Sequence, residues 1–312
     1  MRITTRKINV LSIAALAVAA IAIAPTPKAQ AALLFSDDFE NHTAGDSIPT
    51  TVGSPSWSLN VEDGTNNVNN KARDSSSVAP FGSNNQYLDS SKGADQNSDD
   101  SGGKDLGVLT KINIGSAGKV ASLRFDFFDA SDNPFQSSST NGTGGLWILN
   151  IGASNVTDVN ENDDPLVQLN IGSGTTGNQD DSAGPGGNGD GDGQSFNYDL
   201  DTAYRITVVI NNNNSGSITY DGETLGWGQV DVWLNDTLVI DDDGVREAAE
   251  IGKTVDAFRF KIFGGQTDVA VFADNVEFYN EAIAGELIPE PASLALLGLG
   301  GLMMLPRGRR RR

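Results

Sequence analysis

Cysteine is absent from the 312 residues, and histidine occurs once. Zero Cys excludes a disulfide scaffold, Cys-ligated zinc, iron–sulfur clusters and thiol nucleophiles. A single His excludes metal sites built from several imidazoles. Basic residues are scarce too, with 21 Lys and Arg against 41 Asp and Glu, a formal net charge of −20 and a pI near 4.2. That balance argues against binding nucleic acid backbones. Between Ala32 and Asn280 no stretch holds a helical period for long, and no internal repeat of constant period is visible, which sets propellers and solenoids aside. What the chain does have is length and turn residues. It suffices for one large β domain or two small domains with a real core, and 36 Gly supply the connections.

The two ends read as addresses. Arg2, Arg6 and Lys7 precede the apolar run Val10–Ala24, and Ala29-Gln30-Ala31 offers the small residues that a signal peptidase accepts. The expectation is a signal peptide over residues 1–31, cleaved after Ala31, rather than a retained membrane anchor. At the other end Pro289-Glu290-Pro291 leads into Ala292–Leu305, which carries no charge, and then Pro306-Arg307-Gly308 and Arg309, Arg310, Arg311 and Arg312. A helix of this length spans roughly 21 Å, short of a hydrocarbon core near 30 Å, so it is a marginal span that snorkelling Arg can stretch. The Arg cluster belongs on the cytoplasmic side, with the body outside.

The tail IPEPASLALLGLGGLMMLPRGRRRR resembles the PEP-CTERM sorting signal of Gram-negative bacteria: a Pro-Glu-Pro motif, a hydrophobic helix and a terminal Arg cluster, in order. The resemblance implies processing by an exosortase, a membrane protease that handles proteins bound for the envelope or extracellular matrix of exopolysaccharide-producing bacteria. The Pro306-Arg307-Gly308 interruption departs slightly from the commonest pattern. On this reading the chain divides into a signal peptide (1–31), a body (32–280), a linker (281–288) and the sorting signal (289–312). Removal of residues 1–31 and of everything after Pro291 takes away nine basic residues and no acid, leaving 12 against 41 and a net of −29. Such a surface attracts divalent cations and stays soluble outside the cell.

The body reads as strands. Ser122–Phe128, Val230–Leu234 and Phe258–Phe263 alternate apolar and polar residues, the signature of half-buried strands. Tyr204–Ile210 and Leu146–Ile151 are more uniformly apolar, as strands inside a two-layer core can be. Asn235-Asp236 forms a two-residue hairpin turn between Val232-Trp233-Leu234 and Leu238-Val239-Ile240, since both residues tolerate positive φ. About a dozen strands emerge, and Arg246–Glu250 gives the one helical hint. Many short strands with turn-rich spacing mean a sandwich or a barrel. The start Leu34-Phe35-Ser36-Asp37-Asp38-Phe39-Glu40 and the end Val269–Tyr279 (VAVFADNVEFY) resemble the first and last strands of concanavalin A-like, laminin-G-like domains, where the chain ends pair near each other. The expected fold is all-β: a two-sheet antiparallel jelly-roll sandwich of concanavalin A-like type, with an N-terminal signal helix and a C-terminal hydrophobic helix. The alternative is two smaller sandwiches split near the Gly-rich segment 172–194.

Chemistry concentrates in loops. Ser90–Gly103 and Gly172–Gln194 are longer than strand connection requires. Within the second, Asn188, Asp190 and Asp192 place oxygen ligands at alternate positions before Gly193, and Asp199 falls at the twelfth position of an EF-hand count. No helix flanks the loop, so an EF-hand proper is not expected; a calcium-stapled loop and a plain solvated loop both account for the residues, and Ca2+ is the one candidate cofactor. Asp241-Asp242-Asp243, Asp163-Asp164 and Asp99-Asp100 read as charged turns.

Catalytic signals are weak. The Glu-x-Asp-x-Glu run of secreted glucanases with this fold is absent, and the nearest strand carboxylates are Asp126 with Asp129 and Asp274 with Glu277. His42, in a loop after the first strand, reads as a surface residue, and no Gly-x-Ser-x-Gly elbow accompanies it. Carbohydrate binding draws more support, because aromatic rings stack on sugar C–H faces. Trp147 and Trp233 lie inside apolar strands and read as core. Trp227, between Gly226 and Gly228, is the best exposed stacker, with Tyr220 and Trp57 as further candidates; the competing reading of Trp227 is a cover for one end of the sandwich.

The sequence therefore leads to a secreted, non-enzymatic envelope or matrix protein of structural, adhesive or carbohydrate-binding character. Its partners would be signal peptidase and an exosortase during processing, the membrane through the C-terminal helix before it, and an exopolysaccharide afterwards, with no nucleic acid. The alternatives are a polysaccharide-active glycosidase or lyase, and an acidic matrix filler without a ligand.

Overall fold

In a computed structural model, the structure describes residues 31–45, 48, 57–60, 69–76, 79–92, 105–111, 113–131, 146–153, 165–172, 195–245, 248–263 and 269–286. The expected signal helix and the C-terminal hydrophobic helix lie outside these residues. Among the described residues no helix is long and apolar enough to cross a membrane.

Fifteen strands are described. The first eight are β1 (Leu33–Asp37), β2 (Ser58–Asn60), β3 (Asn69–Asp74), β4 (Gln86–Lys92), β5 (Asp105–Lys111), β6 (Val120–Asp129), β7 (Leu146–Gly152) and β8 (Val167–Gly172). The rest are β9 (Ala203–Asn211), β10 (Ile218–Tyr220), β11 (Glu223–Leu225), β12 (Gln229–Leu234), β13 (Thr237–Gly244), β14 (Ala257–Phe263) and β15 (Val269–Tyr279). A 3-10 turn, Ala248–Glu250, occupies the place of the helical hint.

The described strands form an eight-stranded sheet in the order β13-β12-β9-β6-β15-β4-β3, with β1 also on β15, a five-stranded sheet in the order β2-β5-β14-β7-β8, and a two-stranded hairpin of β10 and β11. Every pairing is antiparallel. Both sheets mix strands from either side of the segment 173–194: β6 pairs with β9, and β7 with β14. That interleaving is incompatible with two sandwiches divided there.

Alternation decides which residues face the other sheet. On β6 it is Ala121, Leu123, Phe125 and Phe127; on β9, Ile206, Val208 and Ile210; on β14, Phe258 and Phe260. The two layers meet through rings. Trp147 and Phe260 stack at 4.6 Å, and Phe125 sets its edge against both, at 5.6 and 5.4 Å. Phe258 stacks on Phe278 across the layers at 6.0 Å. Offset and edge-on ring pairs add about 0.5–1.5 kcal/mol each beyond the area that they bury.

The chain ends meet as the sequence leads one to expect. β15 is long enough to take two neighbours on one side in succession, β4 along Val269–Ala273 and β1 along Val276–Tyr279, while β6 runs along its other side. The changeover is an irregularity between Asp274 and Glu277 with Asn275 at φ 48°. The strands that outnumber the expected dozen are short or polar: β2, β10 and β11 have three residues each, too few to show a period. β3 (NNKARD) shows no alternation, and its pairing with β4 makes it a strand.

Trp57 anchors the N-terminal end of this core. Fully buried, it packs against Phe35, Phe39, Phe258 and Phe260, and its Nε1 donates to Asp37 Oδ2 at 2.7 Å. It therefore cannot stack on a glycan, a correction to its reading as a surface aromatic; no periodic run in the sequence surrounds it to betray the burial. His42 is corrected likewise: its side chain is 10% exposed and its Nε2 lies 3.0 Å from the same Asp37 carboxylate. We predict that Trp57→Ala costs about 3–5 kcal/mol of stability and Trp227→Ala less than about 0.5, read as denaturation midpoints in urea.

Candidate functional site

The hairpin of β12 and β13 turns at Asn235-Asp236, with Asn235 at φ 56°. Its register is irregular: Val232 faces Ile240 but Val230 faces Asp243, so Asp231 meets both Asp241 and Asp242. This is a bulge, with two residues opposite one and Asp242 at φ 53°. Carboxylate oxygens of Asp231, Asp241 and Asp242 consequently lie within 4.8 Å of one another, Asp231 buried and the other two exposed. Such a group offers hard oxygens of the kind that a divalent cation takes.

Asp231 is held from both sides. Its Oδ1 accepts the Asp242 N–H at 2.9 Å, and its Oδ2 takes a short hydrogen bond from the Tyr220 hydroxyl. Trp233 Nε1 in turn donates to the Tyr220 oxygen at 3.1 Å. Burial raises the Asp231 carboxyl above its ordinary range, with Asp241 and Asp242 adding repulsion. Burial also raises Tyr220, and its bond to Asp231 holds the proton on the phenol. Tyr220 is thus a buried strut beneath the bulge and no surface stacker, because the β10–β11 hairpin lays it onto Val209, Leu225 and Trp233.

Trp227 occupies the turn between β11 and β12 and is 52% exposed. Two glycines set that turn. Gly228 has φ 67°, donates to Asn211 O at 2.7 Å and accepts from Val245 N–H at 2.9 Å. At Gly226 a Cβ would stand 2.0 Å from Gln229 Oε1. Gln229 Nε2 donates to the Asp242 carbonyl at 2.9 Å, which ties the Trp227 turn to the acidic bulge. One exposed indole and two exposed carboxylates therefore belong to the same sheet edge. The other expectations for tryptophan hold, since Trp147 and Trp233 are buried.

The remaining sequence candidates fall elsewhere. Asp199 is exposed, and its N–H donates to the Tyr204 hydroxyl at 3.1 Å. Asn188, Asp190 and Asp192 lie outside the described residues, as do Asp99-Asp100, Asp163-Asp164, Pro289, Glu290, Pro291, Arg307 and Arg309 to Arg312. The triad at Asp231 was not foreseen. Asp241-Asp242 reads as a charged turn, and only the bulge, ten residues and one hairpin away, supplies its third member.

A second acidic group sits on the outer face of the eight-stranded sheet. Asp126 and Asp274 are register partners on β6 and β15, both fully buried or nearly so. Arg205 holds Asp126 through Nε at 2.6 Å and Nη2 at 3.0 Å, and Asn275 Nδ2 donates to it at 2.9 Å. Asn85 Nδ2 donates to Asp274 at 2.6 Å. Burial, then Asp126 and Glu40, push Asp274 up to about 7 against the hydrogen bonds that it accepts. Asp129, hydrogen-bonded to Tyr198 at 2.9 Å, is pushed up to about 7 by burial as well.

A scan against protein-family models finds no match, and a search of curated proteins finds none either. Among solved structures, domain 4 of AbnA, a GH43 extracellular arabinanase from Geobacillus stearothermophilus, is 11% identical, with 83% of this chain and 95% of that chain covered and a TM-score of 0.42. The T. cruzi calreticulin globular domain is 8% identical over 80% and 89%, with a TM-score of 0.46. The cellulose-induced protein Cip1 is 11% identical over 80% and 99%, with a TM-score of 0.43.

The buried carboxylates make stability pH-dependent. Between the ordinary Asp value of 3.8 and about 7, folded Asp129 and Asp274 keep protons that the unfolded chain has released. Stability is therefore greatest at the acid end of that window and declines as pH rises through about 7. Melting temperature should fall between pH 5 and pH 8, and Asp129→Asn together with Asp274→Asn should flatten the slope. A slope unchanged by both substitutions would place its cause in the surface charge.

Proposed function

We propose that this protein is a secreted, non-catalytic component of the envelope or extracellular matrix of a Gram-negative bacterium, and that it contacts exopolysaccharide through Trp227. The body is read as a concanavalin A-like jelly roll. Residues 1–31 are read as a signal peptide removed by signal peptidase. Pro289-Glu290-Pro291, the hydrophobic segment and the Arg cluster are read as a PEP-CTERM signal, a transient inner-membrane anchor handled by an exosortase.

The observation that carries the contact is the exposure of Trp227. Three of the four tryptophans are buried, and the fourth is held in water by a turn that two glycines and Gln229 define. A large ring kept in solvent forgoes roughly 1–2 kcal/mol of burial, which a stacked sugar returns. Asp241 and Asp242 beside the turn offer acceptors to sugar hydroxyls. Calcium enters the proposal at either of two places, the loop of Asn188, Asp190, Asp192 and Asp199, or the triad of Asp231, Asp241 and Asp242. In both it would stiffen the loops that meet the glycan.

The non-catalytic reading is favoured over a glycosidase or lyase by Asp126 and Asp274. They are the carboxylates that β6 and β15 bring face to face, and both are buried and engaged in internal hydrogen bonds, where a substrate does not reach them.

Residues 32–286 should bind the producing organism's own exopolysaccharide saturably, and Trp227→Ala should weaken that binding about tenfold, a difference of about 1.4 kcal/mol. Titration with calcium and then with chelator completes the test. Loss on chelation places calcium in the binding unit. A folded protein that binds in neither condition overturns the reading.

A further inference from the structure

The last described segment crosses the outer face of the eight-stranded sheet. After β15, Glu281–Glu286 runs over β6, β9 and β12 as a strap. Ser122 Oγ donates to the Glu281 carbonyl at 2.8 Å and accepts the Ile283 N–H at 3.1 Å. Ala282 joins the cluster of Val209, Tyr220, Leu225 and Trp233. Gly285 lies so close that a Cβ there would stand 2.2 Å from the Asn235 carbonyl and 2.6 Å from Trp233 Cβ.

The strap ends on two arginines. Glu286 Oε1 accepts from Arg124 Nη1 at 2.9 Å and from Arg205 Nη1 at 2.8 Å, and Arg124 Nη2 donates to the Ala284 carbonyl at 2.9 Å. The partners differ in permanence. Arg205 and Arg124 side chains are 7% and 10% exposed, and Glu286 is 53% exposed. Arg205 is fixed by its two bonds to buried Asp126, and Arg124 by Thr207 Oγ1 at 3.3 Å and the Tyr279 ring beneath it. A half-exposed carboxylate contributes little to such a pair, whereas each buried guanidinium loses one of its acceptors when Glu286 leaves, Arg124 keeping Thr207 and Glu277 at 3.8 Å and Arg205 keeping Asp126. The receptor is rigid and its occupant replaceable.

We propose that Arg124 and Arg205 form a carboxylate-binding site that Glu286 fills in the resting protein, and that its external ligand is the carboxylate of an acidic, uronate-containing polysaccharide. Lifting the strap frees the groups that such a sugar uses. The two guanidinium forks take the carboxylate, Ser122 and Thr207 offer hydroxyls, and the Trp233 ring loses its Gly285 cover and offers a stacking face. With Glu286 displaced, Arg124, Arg205, Asp126 and Glu277 sum to zero charge, and an incoming carboxylate returns the group to the net −1 that it carries with Glu286 in place. The site is independent of Trp227, which stands at the opposite end of β12, roughly 20 Å away along the strand.

The test uses the full-length chain with polygalacturonate as probe and dextran as neutral control, in physiological salt. Glu286→Gln lies at the exposed end of the network and leaves the fold intact. It should raise affinity for polygalacturonate at least tenfold, leave dextran unchanged, and speed hydrogen exchange of the Ile283 amide by a similar factor. Adding Arg124→Lys, which keeps the charge and removes the fork, should abolish the gain, and adding Trp227→Ala should not. An unchanged Ile283 exchange rate, an absent gain in affinity, or a gain that survives Arg124→Lys would each overturn the proposal.

Discussion

The two sheets are held together by a few large rings, and the rest of the molecule follows from that seam. Phe125, Trp147 and Phe260 come from three strands and two layers, and each touches the other two. Their strands had to be central: β6 lies between β9 and β15, and β14 between β5 and β7. With no Cys to staple the chain, interdigitation of these side chains must fix the register of both sheets. Once Phe125 and Phe127 point inward, Arg124 and Asp126 point outward by the two-residue period of a strand.

That outward face is where the protein becomes unusual for its composition. A strongly acidic chain ordinarily keeps its charges in water, yet this sheet buries Asp126, Asp274, Arg124 and Arg205 there, and Asp129 beside Tyr198 on its inward side. They are tolerated because each is hydrogen-bonded to a neighbour in the fold. The hydrogen bonds offset much of the desolvation and leave two carboxyls titrating at about 7. The strap Glu281–Glu286 completes this layer, so the segment leading toward the tail is also part of the body's polar packing.

The body thus presents two regions of opposite character along one strand. At the start of β12 an exposed indole sits beside exposed carboxylates, a surface suited to hydroxyls, sugar faces and cations. Near its end two arginines are already occupied by a carboxylate from the same chain. On the proposed reading, this division would let a very acidic protein meet polysaccharide through local groups, since the net charge acts only over a Debye length.

Much of this was legible in the residues. The alternation in SLRFDFF, VDVWL and FRFKIF determined strands and their inward faces, Asn235-Asp236 determined a hairpin, and the flanking glycines put Trp227 on a turn, because each of these depends on neighbours within a few positions. Whether Trp227 is exposed or covers one end of the sandwich depends on the fold. The address proposed for the two ends rests on their composition alone, and both lie outside the described residues. Partnerships across the sheets were not legible. Asp231 meeting Asp241 and Asp242 depends on a bulge, Asp126 facing Asp274 on the register of β6 against β15, and Trp57 finding Asp37 on how the chain returns to β1. Local pattern reports which way a side chain points. Only the tertiary structure decides what it meets there, because a register shift of one residue sends every side chain on a strand to the other face.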